Sequence, residues 1–148
     1  MDFAHTPAFT VYALFATFLS LLAITLDAAG GFSRARSKTV INPEDVGKVA
    51  KKVEVVDEDP PSVARMMRAH RNALANIVPF LVIGLLYVAL GAPAPLTVGI
   101  LFGLFTFARL VHAISYAAKA QPWRTISFVV GQGVTVTLAV LVARAALG

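Results

Sequence analysis

The chain has 148 residues, enough for one domain, but its composition is not that of a soluble one. Apolar residues make up 57% and charged residues 14%, whereas globular chains average roughly 45–50% and 25%. This balance excludes a disordered chain and favours a membrane protein, and the absence of cysteine excludes disulfide scaffolds, thiolate metal sites and cysteine nucleophiles.

Four apolar stretches follow one another along the chain. Each approaches the length of about 20 residues that a helix needs to cross the hydrocarbon core. Lipid offers the backbone no hydrogen-bond partners, so each stretch is predicted to be a helix, and the alternating pattern of a membrane β-barrel is absent. The stretches cover residues 8–26, 73–90, 96–118 and 126–143.

We therefore predict an all-α integral membrane protein, a four-transmembrane-helix bundle that forms a single domain over residues 1–148. The first apolar stretch is not read as a signal peptide, because residues 1–7 contain Asp2 and no Lys or Arg. The predicted boundaries are about 8–29, 63–90, 95–118 and 123–146 for the spans, and 30–61 for the first loop.

Lys and Arg residues predict the orientation of the bundle. Six of them lie in the first loop and two in the third connection, but none lies in residues 91–95. The positive-inside rule places the first and third connections in the cytoplasm and both termini outside. The net charge of +5 is thus a topology signal and not a sign of nucleic-acid binding. The membrane would be the inner membrane in a bacterium and the endoplasmic reticulum in a eukaryote.

Two connections carry turn signals. Residues 91–95, Gly-Ala-Pro-Ala-Pro, predict a tight turn, which would make the second and third spans antiparallel neighbours. In the first loop, Asn42-Pro43-Glu44-Asp45 predicts a helix start, with Asn42 as the N-cap and Pro43 at the first helical position.

Cationic and polar side chains recur on one face of three spans. All eight acids lie at or before Asp59, while seven basic residues follow it. Arg109 lies deep in the third span, where a charge is costly unless it is paired or faces a polar cavity, and an acidic partner would have to come from the first loop. The residues that share these faces are Arg68, Arg71 and Asn72, then Arg109, His112 and Tyr116, then Arg124 and Thr125.

Two interpretations of this pattern remain open. Basic side chains at helix ends extend towards lipid phosphates, which suits Arg65, Lys119 and Arg144. The alternative is a pocket for an anionic polar ligand, because Asn72, His112 and Tyr116 supply hydrogen-bond direction that headgroups do not require. No metal site is predicted, since the histidines lack ligand spacing.

The arrangement resembles the MAPEG family, the membrane-associated proteins in eicosanoid and glutathione metabolism. Residues 68–72 (RAHRN) with the downstream Pro79-Phe80 resemble its second helix, and Arg109, His112 and Tyr116 match its R-x-x-H-x-x-x-Y pattern. Residues 42–45 resemble its first-loop motif, and residues 121–131 the start of its fourth helix. The nearest branches look like microsomal glutathione transferase and microsomal prostaglandin E synthase.

This resemblance implies a homotrimer that binds glutathione between subunits near the cytoplasmic side. Arg34 would reach the ligand from the first loop, and Arg68 would support the pocket. Thr125 falls where the prostaglandin synthase branch has a serine proposed to contact the thiol, and Asp45 matches an aspartate discussed in proton handling. By position, the other binding residues would be Arg71, Asn72, His112, Tyr116 and Arg124, with Arg124, Thr125 and Asp45 as the catalytic set.

Two departures from the family pattern bear on activity. Ala75 stands where relatives commonly carry a glutamate that meets the glutamyl amine, which affects the mode or strength of glutathione binding. Phe128 replaces the tyrosine of the prostaglandin synthase branch and resembles the glutathione transferase branch. The resemblance therefore favours a transferase.

The expected reaction is attack of a glutathione thiolate on a lipophilic electrophile, with reduction of lipid hydroperoxides as a further activity and detoxification as the role. Arg124 beside the sulfur would favour the thiolate. A glutathione-dependent isomerase of prostaglandin-endoperoxide type is the alternative enzyme. A small transporter or scaffold is the alternative of another class, although a proton-coupled exporter should carry an acid within a span.

Overall fold

The computed structural model describes residues 3–47 and 52–148, and four long helices dominate it. All four are long and apolar enough to cross a membrane. The prediction of a four-helix, multi-pass membrane protein is confirmed. The helices are α1 (Pro7–Ser37), α2 (Pro61–Gly91), α3 (Pro95–Ala118) and α4 (Trp123–Leu147).

The helix starts follow from proline chemistry. Pro7, Pro61 and Pro95 stand at the beginning of α1, α2 and α3, where the missing N–H costs nothing and the fixed φ suits a helix. Thr6 caps α1, since its hydroxyl oxygen accepts a hydrogen bond from the amide of Phe9 at 3.2 Å. Lys119 ends α3 with a left-handed φ of 59°.

The first connection contains more structure than its sequence predicts. Strands β1 (Thr39–Val40) and β2 (Glu54–Val55) form a parallel pair. The predicted helix start at Asn42 is a single 3₁₀ turn, Pro43–Asp45, and the Asn42 side chain does not cap it. Since α1 continues past residue 29 to Ser37, the connection begins later than predicted.

The helices form a four-membered ring in the order α1, α2, α4, α3. The contacts between Asn72 and Arg109 and between Phe80 and Phe105 show that α2 and α3 run antiparallel, as the short turn predicts. The two helices face each other across the centre, however, because each packs mainly against α1 and α4. The order of the ring places the polar residues of α2, α3 and α4 together.

Aromatic rings fill the centre of the bundle away from those polar residues. The rings of Phe80 and Phe105 stack with centroids 3.6 Å apart, and Phe102 lies 4.6 Å from Phe80. Gly84 leaves space for the Phe102 ring, which a Cβ at that position would strike. Large apolar side chains such as Leu14 and Ile100 point outward, as expected where the solvent is lipid.

Candidate functional site

Arg109 is a fully buried cation at the centre of the polar residues. Its side chain is 2% exposed, and its NH1 group donates a hydrogen bond to Oδ1 of Asn72 on α2 at 3.3 Å. Its NH2 group donates to the carbonyl oxygen of Ser127 on α4, also at 3.3 Å. No acid among the described residues pairs with it. The groups that bond to Arg109 are therefore neutral, and none of the first-loop acids that the structure describes is among them.

Neutral groups surround the Arg109 charge instead. The guanidinium carbon lies 5.6 Å from the ring centre of Phe105 and 6.0 Å from that of Phe128, within the range of cation–π attraction. On α4, a Cβ at Gly131 would lie 2.9 Å from NH2 of Arg109. The glycine thus lets α4 approach the guanidinium closely. As a result, Arg109 of α3 contacts both α2 and α4.

Two amide side chains extend this cluster towards the middle of the bundle. Nδ2 of Asn76 donates to the carbonyl oxygen of Asn72 at 2.7 Å, and Nε2 of Gln132 donates to Oδ1 of Asn76 at 3.0 Å. Sequence reasoning did not assign either residue to the site. The available signal was that each is the most polar side chain of an apolar stretch, and such side chains pair across helices.

His112 connects α3 to the start of α4. Its Nδ1 lies 2.9 Å from the carbonyl oxygen of Arg124. A carbonyl oxygen only accepts, so Nδ1 is the donor and carries the hydrogen in this arrangement. The hydroxyl of Ser127 donates to the same carbonyl at 3.2 Å. His112 is 6% exposed, so this hydrogen bond to the backbone of Arg124 lies in the core of the chain.

The Arg124 guanidinium lies over the ring of Tyr116. The distance from the guanidinium carbon to the ring centre is 4.9 Å, and the rings of Tyr116 and His112 meet edge-on at 5.2 Å. Arg124 is only partly buried. The sequence-predicted residues Tyr116, His112 and Arg124 are therefore adjacent, with one cation presented towards the surface and its backbone anchored in the core.

Three further predicted residues lie on the surface of the single chain. Arg68 and Arg71 are exposed on α2. Thr125 is also exposed, and its hydroxyl donates to Oε1 of Gln121 at 3.2 Å. Ala75, at the position of the family glutamate, is exposed on α2 as well. This part of the predicted pocket is open on the isolated chain.

Arg34 and Asp45 make their contacts elsewhere. Arg34 lies on α1 and not in the first loop as expected, and it forms a two-pronged ion pair with Asp59, with NH2 2.9 Å from each carboxylate oxygen. Asp45 lies in the 3₁₀ turn, where its nearest side-chain hydrogen bond is to Asn42 at 3.5 Å. Neither contacts Tyr116 or Arg124 among the described residues.

An apolar cleft of about 280 Å³ opens between α3 and α4 beside these residues. Ser127, which bonds the Arg124 carbonyl, forms part of its wall. The other lining residues are apolar: Leu104, Phe107, Ala108, Val111, Trp123, Ile126 and Val130. The cleft is therefore suited to a lipid-soluble molecule next to a polar site.

The charged side chains in and next to the cluster are all positive. Arg109 and Arg124 are cations, and Arg68 and Arg71 add two more on the neighbouring helix α2. No acid occurs in the sequence after Asp59. Three His, Asp or Glu side chains do not come together as metal ligands within residues 3–47 and 52–148. The arrangement suits an anionic organic ligand with several polar groups.

Comparison with known proteins gives consistent matches. The model of the MAPEG family matches residues 9–144. The chain is 42% identical to human microsomal glutathione S-transferase 1 over 88% of this chain and 86% of the relative. It is 42% identical to the rat protein of the same name over 99% and 94%. It is 32% identical to prostaglandin E synthase of Macaca fascicularis over 86% and 82%.

Proposed function

The chain belongs to the MAPEG family, and we propose that it is a glutathione transferase that acts on lipophilic electrophiles in the membrane. The observation that carries the proposal is the placement of Arg124. Its guanidinium lies over Tyr116, partly exposed, while its carbonyl is held by His112 at 2.9 Å. A fixed cation of this kind is what a thiol needs beside it in order to ionise.

Glutathione binding follows from the charges. The peptide carries two carboxylates and one amine, and a basic, acid-free pocket attracts such an anion. Arg71 and Asn72 would bind a carboxylate, with Arg68 supporting them. Because Ala75 replaces the family glutamate, the glutamyl amine loses an ionic partner. We expect weaker ground-state binding of glutathione for this reason.

Thiol activation requires a modest free energy. A free cysteine thiol has a pKa of about 8.5, so only about 3% is thiolate at pH 7. Lowering this pKa by about 2 units requires roughly 2.7 kcal/mol and raises the thiolate to about three-quarters. One close guanidinium in a partly desolvated site, assisted by the Thr125 hydroxyl, is sufficient. The roles of Thr125, and of Asp45 in proton handling, belong to this proposal.

The second substrate would enter from the lipid. The apolar cleft between α3 and α4 shares Ser127 with the polar cluster, so an electrophile there lies next to the residues that hold Arg124. The thiolate would attack its electrophilic carbon, forming an S–C bond as the leaving group departs with its bonding electron pair. With a lipid hydroperoxide, the thiolate would attack the terminal oxygen and break the O–O bond. The lipid alcohol would leave, and a second glutathione would convert the resulting sulfenic acid to glutathione disulfide and water.

Assembly and orientation complete the proposal. Arg68, Arg71 and Thr125 are exposed on the single chain, and a second subunit that covers them would enclose the ligand. We therefore include the homotrimer in the proposal. The positive-inside rule would direct this end of the bundle to the cytoplasm, where glutathione is abundant, and the termini to the other side.

The decisive experiment is a near-ultraviolet difference titration of the detergent-purified chain with glutathione at pH 7. We expect a saturable thiolate band in the wild type. The Arg124→Ala variant should lose the band and lose about 25-fold in turnover at pH 7, since a rise of about 2 pKa units in the bound thiol lowers the thiolate fraction from about three-quarters to about 3%. Turnover by the variant should recover as the pH approaches about 9.

Two controls define the outcome. Arg124→Lys keeps the charge and should retain part of the band, and Arg144→Ala removes an exposed arginine near the far end of α4 and should change nothing. A full thiolate band in Arg124→Ala would refute activation by Arg124. No saturable binding in the wild type at millimolar glutathione would refute the transferase proposal and favour a transporter or scaffold.

A prostaglandin-endoperoxide isomerase is the second candidate, favoured by the 32% identity to a prostaglandin E synthase. Parallel assays with a lipophilic aryl halide and with an endoperoxide distinguish the two enzymes. Conjugate formation without isomerisation supports the transferase.

A further inference from the structure

A second basic feature lies at the end of the bundle where α1 and α3 end and α2 begins. A crevice of about 520 Å³ opens there between the three helices. None of its lining residues belongs to the candidate site described above. They are Ser33, Pro61, Ser62, Arg65, Met66, Ala117 and Lys119.

The crevice contains two cations, Arg65 and Lys119, for which the described part of the chain supplies no counterion. Neither Arg65 nor Lys119 makes a side-chain hydrogen bond or ion pair among the described residues, and no acid lines the crevice. Arg34 on α1 differs, because Asp59 already neutralises it. Two positive charges that share a crevice repel each other, and an anion bound between them offsets this repulsion by attracting both.

The position of the crevice along the bundle matches the membrane surface. Arg65 lies seven residues before Asn72 on α2, about 10 Å along the helix axis, and Lys119 lies ten residues after Arg109 on α3, about 15 Å. Since Asn72 and Arg109 are bonded to each other, both cations lie beyond the polar cluster, at the same end. Lys119 directly follows the third apolar stretch, at the depth of lipid headgroups.

The remaining lining residues suit the same occupant. The hydroxyls of Ser33 and Ser62 are donors that complement the oxygens of a phosphate. Met66 and Ala117 supply apolar surface, which favours a ligand that carries a hydrocarbon chain over a small soluble anion.

We propose that this crevice binds the phosphate headgroup of an anionic phospholipid, with Arg65 and Lys119 as its two charged ligands. The lipid would join the ends of three helices and stabilise the folded chain. The site is separate from the glutathione site, and it stands whether or not the chain is a transferase.

The test uses the full chain, purified and delipidated in a neutral detergent, with thermal unfolding as the readout. Phosphatidylglycerol, phosphatidylcholine and inorganic phosphate are titrated separately. We expect phosphatidylglycerol to raise the unfolding temperature by about 5 °C in a saturable manner, since a ligand that binds only the folded state stabilises it. The other two should shift it by less than about 1 °C.

Variants assign the effect to the crevice. Arg65→Ala/Lys119→Ala should lose most of the shift, and Arg65→Lys/Lys119→Arg should retain it. The matched control is Arg36→Ala/Lys52→Ala, which removes two exposed cations at the same end but outside the crevice, and it should respond as the wild type does.

Three results would overturn the proposal. An equal loss in the control pair would show general charge attraction. An equal shift with inorganic phosphate would show a soluble-anion site. An undiminished shift in Arg65→Ala/Lys119→Ala would place the lipid elsewhere. If Arg65→Ala/Lys119→Ala does not fold, the test uses Arg65→Lys/Lys119→Arg instead. Failure of that variant to respond to phosphatidylglycerol would contradict the proposal.

Discussion

Arg109 brings a positive charge into the membrane-spanning part of α3, and no acid within residues 3–47 and 52–148 pairs with it. Its charge is stabilised by Oδ1 of Asn72, the carbonyl of Ser127 and the rings of Phe105 and Phe128. These neutral groups leave the net positive charge of the cluster intact. An ion pair in the same place would have cancelled part of the attraction for an anionic substrate.

His112 connects α3 to the start of α4 through the carbonyl of Arg124. His112→Ala removes the hydrogen bond to the Arg124 carbonyl and frees the first turn of α4. Loss of one such bond costs about 1–1.5 kcal/mol, so we expect about a tenfold fall in turnover together with a weaker thiolate band. His112→Asn places an amide nitrogen near the Nδ1 position and should stay within about threefold of the wild type.

The measurement is kcat, the glutathione KM and the band amplitude for both variants, with thermal unfolding to verify folding. If His112 instead contacts glutathione directly, both variants should raise KM similarly. That pattern, with kcat unchanged, would contradict a role in positioning Arg124.

Among the elements, the close approach of α3 and α4 depends on Gly131. Gly131→Ala places a Cβ 2.9 Å from NH2 and 3.3 Å from Nε of Arg109. Overpacking of this kind typically costs about 1–3 kcal/mol, and the displaced guanidinium would also release Asn72. We expect a lower unfolding temperature and weaker glutathione binding, measured by thermal unfolding and by the thiolate titration.

Gly133→Ala is the matched control for this substitution. It lies two residues along the same helix and has open space where its Cβ would lie. It should be neutral, or slightly stabilising because alanine favours helices by up to about 1 kcal/mol. Equal destabilisation by the two alanines would mean that the Arg109 contact is not the cause.

The cleft between α3 and α4 is lined by Val130 of α4. Val130→Phe adds bulk to its wall and should raise the KM for a lipophilic electrophile severalfold, while the KM for glutathione stays the same. Val140→Phe, ten residues along α4 and outside the lining, should alter neither value. Steady-state kinetics with each substrate varied in turn measure this, and unchanged electrophile kinetics in Val130→Phe would rule out this cleft as the entry site.

For the whole molecule, the exposed arginines bear on assembly. Arg68 and Arg71 lie on the surface of a single chain, whereas Arg109 is enclosed. In the proposed homotrimer, a second chain against α2 would enclose these two arginines.

Coexpression of Arg71→Ala and Arg124→Ala chains tests whether two subunits share each site. Each variant alone should be almost inactive. In a cyclic trimer with each arginine supplied by a different subunit, random mixing restores about one site in four, so activity should return to about a quarter of the wild-type value. No recovery in verified mixed trimers would place both arginines of a site in one chain.

The four helices were predictable, because a membrane-spanning helix is recognised from the length and apolarity of its sequence. The turn between α2 and α3 was predictable from its Gly and Pro residues. The β1–β2 pair was not, since two-residue strands carry no periodic pattern. The extension of α1 to Ser37 was missed because charges at residues 34 and 36 resemble a loop, although a helix continues readily beyond the lipid.

Length and composition are enough to predict the four spans, and the residue types of the site are read directly from the sequence. The direction of the spans through the membrane stays a prediction of the positive-inside rule. Spacing along one helix places Arg109, His112 and Tyr116 on one face for any fold. The fold, by contrast, sets which residues meet across elements: Arg109 with Asn72 and Ser127, His112 with the Arg124 backbone, and Arg34 of α1 with Asp59 of the first connection. Periodicity describes the faces of one helix, whereas the side chains that meet between helices depend on the order of the helices around the ring.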